Sequence, residues 1–180
     1  YGAAVSLTRP AMLKIPDLRA HLVAAVPELA RDPERFIVMA SGGRVVNTGT
    51  LSLSFEYAYT AKLFVLDYAG HADAIMVPLL AWAKRQQPEL FDNPERRAQG
   101  IRFDAEYLTA DTIDLSVELD LTERVIVRQR PGGPDGALEA EHPPEALPVG
   151  WSDKPEHWSL WFRDELLAEW DFDPRRPPGP

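Results

Sequence analysis

Residues 52–90 read SLSFEYAYTAKLFVLDYAGHADAIMVPLLAWAKRQQPEL, and the fold turns on this stretch. Leu53, Phe55, Tyr57, Tyr59, Leu63 and Val65 share one face at a period of two, while Ser54, Glu56, Thr60 and Lys62 lie on the other. That alternation, rich in aromatic residues, predicts a half-buried strand. Asp67, Tyr68, Ala69 and Gly70 then supply a turn. Ile75, Met76, Leu79, Leu80 and Ala83 recur at helical spacing, with Trp82 widening the apolar stripe. Lys84 and Arg85 sit where the helix dipole favours cations, and Pro88 stops the helix. Pro78 should cost it a hydrogen bond or bend its first turns. Leu63, Leu79 and Trp82 belong to the expected core. The stretch is a packing unit without a catalytic signature.

Upstream, Pro16 suits a first helical position and Asp17 the positive end of the helix dipole. Leu18, Leu22, Val26 and Leu29 form the apolar stripe, and Pro27 should divide the helix into a main body and one extra turn. His21 flanks this stripe without a second metal-type residue on its face. Phe36–Met39 is a short apolar run, and Ser41-Gly42-Gly43 before Val45 and Val46 predicts a small hairpin ahead of the long strand. The same Ser-Gly-Gly lacks the Gly-Lys-Ser/Thr and the helix of a phosphate loop. Asp67, His71 and Asp73 raise a metal-site reading. Against it, Asp73 suits a helix cap, and Asp67 and Gly70 suit a turn, which is the reading preferred.

Downstream, residues 91–99 form a polar connection with a helical turn expected from Pro94. Ile101, Phe103, Ala105 and Tyr107 alternate with Arg102, Asp104 and Glu106. Ile113, Leu115, Val117, Leu119 and Leu121 alternate with Asp114, Ser116, Glu118 and Asp120. Two one-faced strands with a polar turn between them predict an antiparallel hairpin. The carboxylates of Asp114, Glu118 and Asp120 fall together on its outer face, which is solvated or opposes a basic neighbour. Residues 131–155 are dominated by Pro, Gly and Glu and read as a linker or extended arm, in which His142 has no partner of metal or triad type. Trp151, Trp158, Trp161 and Trp170, four of the five tryptophans, fall beyond or at the end of it. The segment around them fits a hairpin turning at Arg163-Asp164 or a short amphipathic helix. Such an aromatic segment anchors either onto its own domain or onto a neighbouring subunit.

The chain has 180 residues, enough for one domain with tails, and 45% hydrophobic residues, enough for a real core. A net charge of -9 argues against a nucleic-acid or anionic-membrane surface, and suits a wall that DNA passes without sticking. With no cysteine, disulfides and thiolate metal sites are excluded. No apolar run approaches the roughly 18 to 20 residues of a membrane helix, and residues 1–11 lack the features of a signal peptide. Cytosolic synthesis is the expectation. No nucleophile–base–orienter set is visible, so no enzyme and no cofactor are expected.

The 52–90 block, the opening MLKIPDLRAHL and the later GIRFDAEYLTADTIDLSVELDLTERV together resemble the tail completion protein R family of contractile-tailed temperate phages and related phage-tail bacteriocins. The match spans roughly Met12 to Val127. The resemblance implies an α+β fold: a mostly antiparallel four- to five-stranded sheet with two helices packed on one face, followed by an extended C-terminal arm ending in a hairpin. The organisation expected is a flexible extension (1–11), a tail-terminator-like domain (12–130), a linker arm (131–157), an aromatic segment (158–173) and a disordered tail (174–180). The resemblance further implies a structural subunit that forms a ring, six copies matching the usual tail symmetry, at the head-proximal end of the tail tube or sheath. It would stop polymerisation there and prepare head joining. The alternatives are a head-to-tail connector or sheath-end anchor, or a small-molecule or metal-binding α/β domain. Partners implied are further copies of the chain, tube or sheath proteins and neck connectors, with DNA passing unbound and no membrane. The location implied is the virion tail or neck, after assembly in the host cytoplasm. Phe55, Tyr57 and Tyr59 should pack the helices. Glu56, Lys62, Asp114 and Glu118 should face a neighbour or the lumen. Trp158, Trp161, Phe162 and Trp170 should contribute to assembly, so that replacing Trp161 and Trp170 together by alanine should weaken it and leave the monomer folded.

Overall fold

The computed structural model describes residues 12–174. The extension expected at 1–11 and the tail from 175 onward lie outside the described residues. The first helix, α1 (Lys14–Ala25), buries Leu18 and Leu22, and a one-turn α2 (Pro27–Arg31) follows the break at Val26. Pro27 opens α2 as the sequence predicts, because proline's fixed φ suits a first helical position and its missing N–H is an orphan there anyway. Pro16 does not open α1: the helix begins two residues earlier, and Pro16 falls in the first turn, where no N–H partner is lost.

A 3-10 turn (Pro33–Arg35) leads into β1 (Phe36–Asn47), which pairs along its length with β2 (Phe55–Tyr68). The small hairpin expected within β1 does not exist. Ser41 pairs with Thr60 and Arg44 with Ala58, so Gly42 and Gly43 form a β-bulge, and Gly42 takes the left-handed φ of +62° that glycine adopts freely. The strand continues and the chain reverses at residues 48–54. There Asn47 Nδ2 donates to the Ser52 and Ser54 carbonyls, at 3.1 and 2.8 Å.

The second main helix, α3 (Asp73–Gln86), carries Pro78 inside it, and buries Ile75, Leu79 and Trp82. Two short helices, α4 (Glu89–Asp92) and α5 (Pro94–Gln99), make the polar connection, and Asn93 caps α5 by accepting from Glu95 N and Arg96 N. Then come β3 (Ile101–Tyr107) and the long β4 (Ile113–Gln129). The sheet order is β1-β2-β4-β3, antiparallel throughout, and β5 (Leu138–Glu141) pairs with the far end of β4. Finally β6 (Glu156–Phe162) and β7 (Glu165–Phe172) form a hairpin that turns at Arg163-Asp164 and lies against α1 and α3. The aromatic segment is therefore a hairpin, not a helix.

One core joins these layers. Leu63, Val65, Leu115, Val117, Leu119 and Leu121 meet Leu18, Leu22, Ile75, Leu79 and Trp82, and Ala168, Trp170 and Phe172 of β7 complete it. Among the described residues, no helix is long and apolar enough to cross a membrane.

Candidate assembly surface

The face of the sheet turned away from the helices carries Glu56, Lys62, Asp114 and Glu118, as the period-two reading places them. Lys62 and Glu118 are direct cross-strand partners, 2.8 Å apart as an ion pair. Arg102 of β3 reaches both Glu118 (3.4 Å) and Asp120 (3.1 Å). The Lys62 hydrogen bond, with help from Arg102, holds the Glu118 carboxyl below its ordinary pKa. Asp114 Oδ1 accepts from Asp67 N at 2.8 Å, and Glu56 lies opposite Arg124. Of the carboxylates expected to need water or a basic neighbour, Glu118 and Asp120 thus find cations of their own chain on adjacent strands, while Asp114 takes a backbone N–H. Pairs of this kind, screened by solvent, set register and charge more than stability.

The four aromatic positions of the C-terminal segment divide in two. Trp170 is 5% exposed, within the core, its ring edge-on to His21. It is not a surface anchor, which corrects the expectation for this residue. β7 alternates as a strand does, and its even positions Ala168, Trp170 and Phe172 face the helices. Trp158 is half-buried, stacked on Phe172 with ring centroids 5.1 Å apart and beside Trp151. Trp161, 56% exposed, and Phe162 stand at the hairpin tip, where Phe162 lies against His71.

Of the expected packing residues, Tyr59 is buried, Tyr57 is half-buried against the core, and Phe55 packs edge-on to Tyr57. Tyr59 also does something its apolar partners do not. Its hydroxyl donates to Glu123 Oε1 at 2.5 Å, and burial beside that carboxylate pushes the phenol far above its ordinary pKa. Glu123 accepts in addition from Leu13 N (3.0 Å) and Lys14 N (3.1 Å), and so caps α1, which has no side-chain cap of its own. The Lys14 ammonium donates to the Thr122 carbonyl, Gln87 Oε1 and Glu145, and burial lowers its pKa against the pull of those acids. Gln87 takes the Thr122 N–H at 2.9 Å, standing in for a strand where β4 runs between β3 and β5. This node also holds down the stretch expected to be a linker or extended arm: β5 pairs with β4, and Glu145 forms an ion pair with Lys14 at 2.9 Å. It was missed although it left a trace. Glu123 falls on the inward phase of Leu115, Val117, Leu119, Leu121 and Val125, the one charge in that apolar series.

In the Asp67–Asp73 loop, His71 and Asp73 stay close, at 3.5 Å, while Asp67 turns elsewhere. Asp67 pairs with Arg35 at 2.9 Å, and His71 Nδ1 accepts from Asp73 N at 3.2 Å. Among the described residues, no three His, Asp or Glu side chains gather to hold a metal. Asp73 is in the first turn of α3 and not its cap, since Ala72 takes that position. A cleft of about 680 Å³ lies between the sheet and α4–α5, and its charged lining (Arg44, Glu56, Glu89, Glu95, Arg96) includes no serine or histidine to make a nucleophile–base pair.

β3 departs from the expected burial. Its Ile101, Phe103, Ala105 and Tyr107 share the helix-side face with Leu119, Val117, Leu115 and Ile113 of β4. Yet Phe103 is 65% and Tyr107 77% exposed, because the helices cover the inner strands and stop short of this edge.

The core is filled, Glu118 and Asp120 of the outer face are paired within the chain, and Phe103 and Tyr107 of the edge strand β3 stay uncovered. The chain belongs to the P2 phage tail completion protein R (GpR) family, whose description it matches over residues 12–146. Tail completion protein R of Escherichia phage P2 is 34% identical over 160 residues, covering 89% of this chain and 99% of the relative. The match runs into β5 and the segment holding Glu145, beyond the Val127 to which the resemblance roughly reaches. No solved structure matches. The role is thus structural, in phage tail completion, and the protein is a component of the virion tail.

Proposed function

We propose that the protein completes the tail as a ring of identical copies, six to match tail symmetry, at the head-proximal end of the tube or sheath. There it ends polymerisation and presents a surface to the neck connectors. Its action is physical, through contacts that form, and needs no catalytic group or cofactor. A closed ring requires a heterologous interface, one patch of each copy meeting a different patch of the next. The observation that carries this reading is β3, whose alternating apolar face continues the core pattern and is left uncovered at Phe103 and Tyr107. Trp161 and Phe162 at the hairpin tip add a second apolar patch for tube, sheath or connector. The outer face bearing Glu56, Lys62, Asp114 and Glu118 is available to a neighbour or the lumen. A net charge of -9 supports passage of DNA without specific binding. Assembly takes place in the host cytoplasm and the product stays in the tail or neck.

The test is tail length by negative-stain microscopy in a producing strain whose copy of the gene is disrupted. Overlong or ragged tails without heads are the expected result. Tails of uniform, normal length that fail to join heads would move the protein to a connector role. Unchanged infectious particles would overturn the proposal.

A further inference from the structure

The two edges of the main sheet are complementary to each other. In the order β1-β2-β4-β3 every neighbour is antiparallel, so β1 and β3, three steps apart, run in opposite directions. A second copy set beside the first in the same orientation therefore brings its β1 antiparallel to β3, and the ladder continues without a change of hand or direction.

The chemistry of the edges matches as well. β1 carries no carboxylate, and its one charge is Arg44. β3 carries Asp104 and Glu106, while its Arg102 is engaged by Glu118 and Asp120 of its own chain. Among the described residues, neither Arg44 nor Asp104 nor Glu106 has an ion-pair partner. All three lie on the outer face, since Arg44 aligns with Ala58 and Asp104 with Ser116 on the strands between. On the other face, α1 flanks β1, so a strand added at that edge places its Phe103 and Tyr107 beside the α1 side of the next copy. Of the devices that keep edges from pairing, β3 has charged side chains but no proline, lysine or bulge.

We infer that copies of this chain join by adding β3 of one to β1 of the next, with Asp104 and Glu106 facing Arg44 on the outer face. The inference rests on the ring reading and names its interface. The joint confines pairing to the seven residues of β3, and the bulge at Gly42-Gly43 divides β1 into two stretches, of which the one holding Arg44 meets Asp104 and Glu106.

The chain contains no cysteine, so introduced cysteines report without background. Asp104→Cys is combined in turn with Ile37→Cys, Met39→Cys, Ser41→Cys and Arg44→Cys, positions that scan the registers of the same face. Antiparallel partners lie about 4.5–5.5 Å apart, within disulfide reach. Tails carrying each pair are oxidised and run on non-reducing denaturing gels, and the same tails are treated with glutaraldehyde. Asp104→Cys with Arg44→Cys should give a covalent ladder ending in a closed-ring band, a ladder from another of the pairs instead would overturn the facing of Arg44, and Asp104→Cys alone should give nothing above a dimer. A glutaraldehyde ladder with none from any of the four pairs would overturn the edge-to-edge joint and leave the ring standing. No ladder by either route would remove both.

Discussion

Replacing Glu123 by alanine tests whether one buried carboxylate ties the N-terminus of α1 to the sheet. The side chain is 3% exposed and takes three donors: the backbone N–H groups of Leu13 and Lys14, and the Tyr59 hydroxyl. Each buried donor left without a partner costs about 1–3 kcal/mol, although water entering the truncated site recovers part of that. α1 has no local side-chain cap to take over. The expected loss is therefore about 3–5 kcal/mol, the range found when one member of a buried charged network is removed. Glu123→Gln keeps one acceptor oxygen and should lose about 1–2 kcal/mol. Tyr59→Phe removes a single donor, and its effect should be markedly smaller in the Glu123→Ala background than in the parent, because the acceptor is already gone. Urea unfolding followed by tryptophan fluorescence measures all three, and in thermal melts the alanine variant should fall by on the order of 10 °C. A loss below about 1 kcal/mol for Glu123→Ala, as for a surface glutamate, would refute the claim that this carboxylate organises the node.

The tryptophans should separate cleanly in the same assay. Trp170→Ala removes a core ring and should cost about 3–5 kcal/mol, whereas Trp161→Ala at the exposed tip should stay within about 0.5 kcal/mol of the parent and be felt in tail completion instead. At the bulge, Gly42→Ala should cost about 1–2 kcal/mol of backbone strain alone, since nothing lies within 4 Å of the added methyl; Gly43→Ala, without a positive φ, should cost less. The ion-pair ladder predicts a pH dependence. Lys62 and Arg102 lower the folded-state pKa of Glu118 below its ordinary 4.5, so its contribution is complete above that value and fades as pH falls through the folded one. The difference in urea midpoint between the parent and Glu118→Gln, present at about pH 6, should narrow as pH falls below 4.5.

Local pattern carried much of the architecture. The long strand, the α3 stripe, the break at Pro27 and the β3–β4 hairpin all follow from spacing, because burial on one face leaves a period of two or 3.6 in the chain. What failed were features set by distant partners. Ser41-Gly42-Gly43 has the composition of a turn, and it became a bulge because β2 was long enough to pair on both sides of it. The 131–155 stretch has no periodicity, yet β5 and Glu145 are held by β4 and Lys14, contacts made one at a time that impose no repeat. Trp170 and Trp161 look alike in sequence. One residue's phase in β7, together with the bulge between Leu160 and Trp161, sends the first into the core and leaves the second outside.

The β3 pattern bears on assembly for the same reason. Alternation records which face of a strand is covered in the working state, whoever supplies the cover. For β2 and β4 the supplier is the chain itself: Leu63, Val65, Val117 and Leu119 lie under its helices. For β3 the alternation is as regular, and the monomer leaves Phe103 and Tyr107 in water at a cost of roughly 1.5–3 kcal/mol for each apolar side chain kept from burial. In the same chain the opposite face of that strand is polar, so the apolar residues are not a general feature of the edge. A regular pattern with its cover missing indicates that the cover arrives with another molecule. At an edge whose direction and charge suit β1, a second copy of the chain is the occupant we propose.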